Sequence, residues 1–285
     1  MEHAPQATIY NQKLSKAEFE RLSRYIHQEY GIKLAPVKQV MLQGRLMKRL
    51  NALGIPTFKD YIDFVFSPEG KQSELIHMID VVTTNKTDFF REASHFDFLR
   101  SHILPAFASR QPNTGPFRVW NAGCSSGEEP YTTAMVLQEY YNTHHRPDFQ
   151  ILATDLSTDI LVKARTAIYP EQRIAVVPMS LKKKYFLRSK DTAKKLVRVV
   201  PELRRKVTFG RLNFMSANYA VDTNMDVIFC RNVLIYFDKP TQETVINKLC
   251  LNLKKGGYFF LGHSESITNM NVPLEQIVPT VFRRT

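Results

Sequence analysis

The segment from Val119 to Tyr131, VWNAGCSSGEEPY, constrains the fold more than any other part of the chain. It has the pattern of a short buried strand, then a loop of small residues, then the acidic start of a helix. Gly123 and Gly127 allow the backbone of that loop to turn sharply and to approach a ligand closely. A strand, a glycine-containing loop and a helix in this order are typical of the first turn of a doubly wound α/β sheet. We therefore predict a nucleotide-sized pocket at the carboxyl end of this strand.

The chemistry of this turn disfavours a pyrophosphate ligand. No Lys-Ser or Lys-Thr pair follows the loop, as it would in a P-loop. Glu128 and Glu129 begin the helix and would repel a pyrophosphate. A ligand whose hydroxyls, amine or sulfonium suit acidic neighbours fits better, and S-adenosylmethionine (SAM) is such a ligand.

Strand and helix patterns alternate from residue 117 onward, which favours a mostly parallel sheet covered by helices. Residues 13–83 have only helical patterns, beginning with a capping box at Ser15 and Glu18. We predict an N-terminal all-α domain over residues 1–83, with residues 1–12 disordered. A doubly wound, Rossmann-like α/β domain with a pocket suited to SAM is expected over 84–285. The predicted strands are 117–121, 149–154, 227–230 and 258–262, and the helices between them are 128–141, 158–167 and 241–253.

The net charge of +12 is concentrated between residues 160 and 211, where eight Lys and seven Arg face three acidic residues. Within this stretch, residues 181–211 interrupt the alternation, and we interpret them as a basic insertion of short antiparallel strands. Such a surface indicates an acidic partner, and the alternative is an ordinary solvated face. A second basic stripe, Lys38, Arg45 and Arg49, is expected opposite Val40, Met47 and Leu50 on one helix.

Other features limit the class of protein. Three widely spaced cysteines indicate reduced thiols rather than disulfides or a zinc site. No apolar run approaches the roughly 18 residues that a membrane helix needs, and the start has no signal-peptide pattern. These features predict a cytoplasmic chain with no transmembrane segment.

Polar side chains follow several predicted strands. Asp155 ends the second strand, where a carboxylate can accept both hydrogens of a ribose diol. The alternative is a helix N-cap, although Ser157 or Thr158 could cap equally well. Asn232 follows a later strand and offers both a donor and an acceptor, and Asn213 lies where an adenine-reading residue would follow a strand.

Two further candidates have structural alternatives. Asn85, Thr87 and Arg91 lie in a polar and aromatic segment between the domains, and on the residues alone an interdomain capping role is favoured. Tyr236, shortly after Asn232, could reach a reacting centre or could be a core aromatic.

Six motifs, in order and with matching spacing, resemble the CheR family of chemotaxis receptor methyltransferases. The resemblance extends from about residue 15 to the end of the chain. It implies methyl transfer from SAM to glutamate side chains of methyl-accepting chemotaxis receptors, with γ-methyl esters and S-adenosylhomocysteine as products. The motifs are TNKTDFFRE at 84–92, AGCSSGEEPY at 122–131, ATD at 153–155, LN at 212–213, CRNVLIYFD at 230–238 and GHSE at 262–265.

The resemblance also implies a set of site residues, none of which is a metal ligand. Arg91 and Tyr236 are implied at the reaction centre. A glutamate carboxylate, with a reference pKa of about 4.3, is already ionised at neutral pH, so no general base is expected. Cofactor contacts are implied for Asn85, Thr87, Arg91, Ala122, Gly123, Glu128, Glu129, Asp155, Leu156, Asn213, Phe214, Arg231 and Asn232.

The expected partner is the acidic helical methylation region of a receptor, docked on Lys38, Arg45 and Arg49. Some family members also grip a C-terminal receptor peptide, and we expect glycines in their insertion hairpin. Here the loop 188–195 has none, so we predict no pentapeptide tether. We expect a monomer, recruited to membrane receptor arrays, without a nucleic-acid partner.

Two alternatives stay open. The basic region would suit a nucleic-acid methyltransferase, but Asn232 is followed by Val-Leu-Ile-Tyr rather than the Pro-Pro-Tyr of amine-methylating enzymes. A non-catalytic receptor-binding module is the other alternative, although every pocket motif is intact.

Overall fold

The computed structural model describes residues 12–109, 115–144, 148–221 and 224–285. It consists of two compact units: the residues up to Thr84 together with Tyr236–Asp238, and Asn85–Ile235 together with Lys239–Thr285. The predicted disorder of residues 1–12 lies outside the described residues, apart from Gln12.

The first unit is helical because its apolar residues recur at helical spacing and its helix ends carry capping residues. Ser15 and Glu18 form the predicted capping box, and Gly31 ends the first helix in the left-handed conformation with φ 71°. Thr57 caps the third helix by accepting the Asp60 N–H. Its helices are α1 Lys16–Tyr30, α2 Gln39–Leu53, α3 Phe58–Phe66, α4 Pro68–Ser73 and α5 Leu75–Val82, with a 3-10 turn at Pro36–Lys38.

The predicted orientation of α2 is wrong. The helix buries Leu42, Leu46 and Leu50, whereas Val40, expected on the buried side, is 79% exposed. Residues four apart form one stripe along a helix, and this stripe excludes Val40. The same geometry puts Arg45 and Arg49 at the border of the buried face instead of opposite to it.

The second unit has the predicted alternation of strands and helices. Its strands are β1 Phe117–Ala122, β2 Phe149–Asp155, β3 Ile168–Pro170, β4 Phe186–Arg188, β5 Leu196–Val199, β6 Val207–Arg211, β7 Met225–Cys230, β8 Leu253–Leu261, β9 Leu274–Val278 and β10 Val281–Arg284. Its helices are α6 Ser94–Phe98, α7 Leu104–Ala108, α8 Glu128–His144, α9 Thr158–Thr166, α10 Met179–Tyr185, α11 Pro201–Arg204 and α12 Lys239–Asn252. Shorter turns are Leu99–Ile103, Glu171–Ile174, Thr192–Lys194 and Leu234–Tyr236.

Seven strands form one sheet in the order β6-β2-β1-β7-β8-β10-β9. Strands β6, β2, β1, β7 and β8 run parallel, and β10 pairs antiparallel with β8 and β9. The chain builds outward from β1 in one direction and then returns to build from β7 in the other. Ligands of doubly wound sheets bind at such a reversal, beyond the carboxyl ends of the strands, so the site is expected after Ala122 and Cys230.

The insertion begins and ends earlier in the chain than predicted, and it is built from a different set of strands. A three-stranded antiparallel sheet in the order β3-β5-β4 is present, but Val207–Arg211, predicted as part of the insertion, pairs parallel with β2 in the main sheet. The sequence pattern missed this because the edge of β2 with which Val207–Arg211 pairs is apparent only in the assembled sheet. The β9–β10 hairpin was not predicted either. Of the helices in the described parts of the chain, none combines the length and apolar character that a bilayer-spanning segment requires.

Candidate active site

The loop after β1 depends on its two glycines. Gly123 has φ 89°, and a Cβ there would lie 2.3 Å from Cγ2 of Val233. Gly127 has φ 96°, and a Cβ there would lie 2.9 Å from the Tyr169 hydroxyl. Other residues rarely adopt such angles. Both glycines are therefore required where the backbone turns at the strand ends, as the sequence predicted.

Asp155 joins the ends of the first two strands. Its carboxylate accepts the Ser125 N–H at 2.8 Å and the Ser157 N–H at 3.1 Å. The N-cap of α9 is Ser157, which accepts the Ile160 N–H, so Asp155 is not the cap. Its half-buried carboxylate instead lies at the rim of the sheet, where a ribose-binding acid is expected.

Arg231 follows β7 and holds two carboxylates. Its side chain is 1% exposed and donates to Glu129 at 2.9 Å and to Glu92 at 3.0 Å. Glu129 also accepts the amide of Asn121, the penultimate residue of β1, at 2.8 Å. Two carboxylates around one guanidinium leave a net negative charge. This Glu92–Arg231–Glu129 cluster therefore favours a ligand with a positive centre.

Glu92 is one residue that the predicted site did not include. Burial alone would raise its pKa, but the charge and hydrogen bonds of Arg231, together with the His263 N–H, hold the pKa below its usual range. Glu92 also has φ 55°, a strained value for a residue other than glycine. Its position in the TNKTDFFRE motif was the sequence feature that could have identified Glu92 as a site residue.

Glu265 is the other missed residue, and it shapes the loop after β7. Its carboxylate accepts the backbone N–H groups of Asn232, Val233, Leu234 and Gly262 at 2.7–2.9 Å. Burial raises the pKa of Glu265, and the four N–H donors oppose that effect. With Asn232 at φ 58°, this bonding fixes the tight turn beside Gly123. Its position in the GHSE motif was the sequence feature that could have identified Glu265.

The segment with Asn85, Thr87 and Arg91 lies against these strand ends. The Asn85 carbonyl accepts the Ser125 hydroxyl at 2.9 Å, and the Arg91 carbonyl accepts a hydrogen bond from Arg231. Thr87 is buried. The Arg91 side chain donates to the Lys86 carbonyl at 3.1 Å. The structure therefore brings this segment together with Asp155 and Arg231 within the second unit.

Glu128 belongs to a separate buried network. Its carboxylate accepts the Ser126 hydroxyl at 2.6 Å and Arg173 at 2.7 Å. Arg173 also donates to Asp88 at 3.0 Å. Glu128 therefore joins the helix start to the insertion, whereas Glu129 faces Arg231.

The adenosine-side candidates follow β2 and β6. The Leu212 N–H donates to the Asp155 carbonyl at 2.9 Å, which brings the end of β6 to that of β2. Next to it, the Asn213 side chain accepts the Met215 N–H at 3.0 Å, and the Phe214 ring lies 6.1 Å from Tyr219. The Leu156 carbonyl accepts from Arg211 at 3.1 Å.

Tyr236 and the basic stripe belong to the first unit. The Lys33 N–H donates to the Tyr236 carbonyl at 2.8 Å, and the Lys38 amine lies 5.7 Å from the centre of the Tyr236 ring. Arg45 donates to the Val82 carbonyl at 2.6 Å at the end of α5. Arg49 forms two hydrogen bonds, 2.8 and 2.6 Å, with the buried carboxylate of Glu74. Two of the three predicted docking cations thus have partners inside the unit.

One group of side chains that lies wholly within the second unit has the geometry of a metal site. The ligand atoms of Glu92, His95 and His263 lie within 4.8 Å of one another. However, Glu92 already accepts from Arg231, whose charge opposes a nearby cation. Burial, with Arg231, lowers the pKa of His95 to about 4. The absence of a metal stays a prediction.

The sheet order and the acid-lined turn after β1 define the second unit as an α/β methyltransferase domain of the SAM-binding class. Comparison of the sequence with models of known protein families agrees with this class. The family model of the CheR methyltransferase SAM binding domain matches residues 85–282, and the family model of the CheR methyltransferase all-alpha domain matches residues 17–83. The chain belongs to the CheR methyltransferase family.

Proteins named chemotaxis protein methyltransferase are similar to nearly the whole chain. The protein from Borreliella burgdorferi is 41% identical over 278 residues, covering 96% of this chain and 96% of the relative. The protein from Klebsiella aerogenes is 40% identical, covering 90% and 86%. The protein from Escherichia coli is 39% identical, covering 90% and 87%.

Proposed function

We propose that the chain transfers the methyl group of SAM to glutamate side chains of methyl-accepting chemotaxis receptors during adaptation. The observation that carries the proposal is the Glu92–Arg231–Glu129 cluster at the reversal of the sheet, in a chain of the CheR family. Its net negative charge suits a sulfonium. It would oppose a phosphate-bearing cofactor.

The residues at the strand ends fit SAM in the following way. Glu129 and its neighbours are proposed to face the charged methionine end, and Asp155 the ribose. Asn213 and Phe214 are proposed at the adenosine end, while Gly123 lets the backbone approach. We assign Glu128 a supporting role, because Arg173 and Ser126 already surround its carboxylate. When bound, SAM supplies a methyl group on a positively charged sulfur, and its transfer leaves S-adenosylhomocysteine.

The chain positions the substrate carboxylate and does not need to deprotonate it, because a glutamate is ionised at neutral pH. Arg91 is proposed to orient this carboxylate. Its attraction must remain modest, because tight binding of the ionised ground state would raise the barrier. Tyr236 is proposed as a second orienting group through its hydroxyl. Ordered reactants and a dry site then provide most of the rate enhancement.

Receptor docking is proposed to rely on Lys38 more than on Arg45 and Arg49, since the latter two have internal partners. We propose a monomer that reaches cytoplasmic receptor arrays without the pentapeptide tether. The β4–β5 loop supports this, because Lys195 rather than a glycine takes the left-handed conformation there, with φ 46°.

Labelled methyl transfer to receptor-containing membranes tests the proposal. The full chain, given SAM with a radiolabelled methyl group, should place base-labile label on receptor protein. Arg91→Ala should reduce the rate at least about tenfold, the equivalent of losing one charged hydrogen bond.

Arg100→Ala is the matched control, because Arg100 is an exposed arginine paired only with Asp97 among the described residues. It should transfer label at the normal rate. Label on nucleic acid instead of receptor, or no label at all, would overturn the proposed function. Equal rates for the two variants would remove Arg91 from the mechanism.

A further inference from the structure

A cavity of about 290 Å³ lies beside the edge strand β6 of the main sheet. Its apolar lining includes Val207, Phe209 and the buried residue Tyr131. Its polar lining includes Arg165 from α9, Arg204 from α11 and the adjacent Arg205. None of these residues belongs to the site described above, and their chemistry differs from it: the cofactor site is acidic and this cavity is basic.

The guanidinium groups around the cavity are poorly neutralised. The buried Nε of Arg204 has no hydrogen-bond partner among the residues that the structure describes. Arg165 donates to a neutral acceptor, the Phe209 carbonyl, at 2.9 Å. Arg205 lies 3.7 Å from Glu202, in an exposed pair that contributes little neutralisation in water.

An arginine offers five donors in a planar fork that matches the oxygens of a phosphate. Buried donors in folded proteins almost always find a partner, so the unpaired Nε shows that Arg204 is less fully hydrogen-bonded within the described chain than a buried arginine usually is. The three arginines together favour an anion with several oxygens over a single carbonyl.

We propose that this cavity binds a phosphate-bearing anion, with its phosphoryl oxygens on Arg204 and flanking contacts from Arg165 and Arg205. The aromatic floor at Phe209 offers a surface for an attached ring. A nucleotide phosphate and free pyrophosphate share this chemistry. The site is independent of methyl transfer, because neither SAM nor its product carries a phosphate.

Calorimetric titration of the full chain with pyrophosphate tests the proposal. The protein is saturated with S-adenosylhomocysteine, so that the acidic site is occupied, and ionic strength is held constant. We expect saturable binding at one site. Arg204→Gln and Arg165→Gln should each weaken it at least about tenfold, while Arg100→Gln, with the same change of charge, should leave it within about twofold.

Arg165→Gln keeps the test valid if Arg204→Gln disturbs folding, since Arg165 is exposed. Each variant must bind S-adenosylhomocysteine normally. A mononucleotide that binds more tightly than pyrophosphate, with the gain removed by Phe209→Leu, would assign the site to nucleotides. Equal affinities would assign it to free phosphate anions. The absence of a saturable heat signal with pyrophosphate would overturn the proposed site. A loss of pyrophosphate affinity in Arg100→Gln as large as that in Arg204→Gln and Arg165→Gln would also overturn it.

Discussion

Replacing Arg231 by methionine should destabilise the second unit strongly, and more so at neutral than at acid pH. The side chain is 1% exposed and pairs with two carboxylates, Glu92 and Glu129, whose side chains are 11% and 14% exposed. Methionine fills similar space but leaves both acids without their cation. Removing one partner of a buried ion pair costs about 3 to 5 kcal/mol, and repulsion between the two acids puts this variant toward the upper end.

The sign of the pH effect follows from the pKa of Glu92. In the wild type this pKa lies below its usual range, so the ionised carboxylate contributes stability above the unfolded pKa, and this is lost as pH falls through the folded value. Without Arg231, burial raises the pKa of Glu92 above its unfolded value. Protonation then stabilises the variant as pH falls, so the difference in unfolding free energy between the variant and the wild type should shrink between about pH 7 and pH 4.5.

Urea denaturation followed by tryptophan fluorescence measures this effect. The chain has a single tryptophan, Trp120, which is fully buried in β1 and therefore reports on the second unit. Arg100→Met, which removes an exposed arginine, should change the unfolding free energy by less than about 1 kcal/mol. A loss of unfolding free energy below about 1 kcal/mol in Arg231→Met, or a loss of equal size at about pH 7 and pH 4.5, would show that Glu92 and Glu129 do not depend on Arg231. Adding Glu92→Gln should recover part of the loss.

Four further substitutions separate binding from folding. Gly123→Ala should abolish S-adenosylhomocysteine binding in calorimetry, because its Cβ would clash with Val233 at 2.3 Å; normal binding would contradict the described conformation of the loop. By contrast, Gly44→Ala lies in open space on α2 and should raise the unfolding free energy in urea by up to about 1 kcal/mol. Asp155→Asn should weaken S-adenosylhomocysteine binding about tenfold, and an unchanged affinity would remove Asp155 from the cofactor site. Arg49→Met should lower the thermal unfolding temperature of the first unit, since the buried Glu74 carboxylate would lose its two hydrogen bonds from Arg49 at a cost of about 3 kcal/mol. An unchanged unfolding temperature would show that Arg49 is not needed for the stability of this unit.

Local features of the fold could be predicted because their cause lies within a few residues. The capping box at Ser15 and Glu18 needs only a three-residue spacing, and Gly31 needs only its own backbone freedom. The turn at Gly123 and Gly127 was predicted for the same reason. Strand β6 was misplaced because its partner, β2, is some fifty residues earlier, and local pattern does not encode which edge a strand joins.

The candidate site has the same division between local and distant causes. Asp155 could be proposed because it ends a strand. By contrast, the partnership of Arg231 with Glu92 and Glu129 joins three parts of the chain that become neighbours only when β7 lies beside β1. The basic stripe on α2 was misjudged because a helical wheel does not reveal that Glu74 is close to Arg49.

The arrangement of charge explains why one chain can be basic and still form a cation site. Interactions between exposed charges are largely screened beyond about 8 Å in physiological salt, so most of the net charge of +12 has little effect on buried groups. Within the second unit the decisive charges are local, because the buried guanidinium of Arg231 is surrounded by two acids at 2.9 and 3.0 Å. The cluster is therefore negative beside the sheet reversal, while the lysines and arginines of the insertion stay largely in solvent. Long-range attraction to an acidic partner and short-range preference for a sulfonium can thus coexist, since they act over different distances.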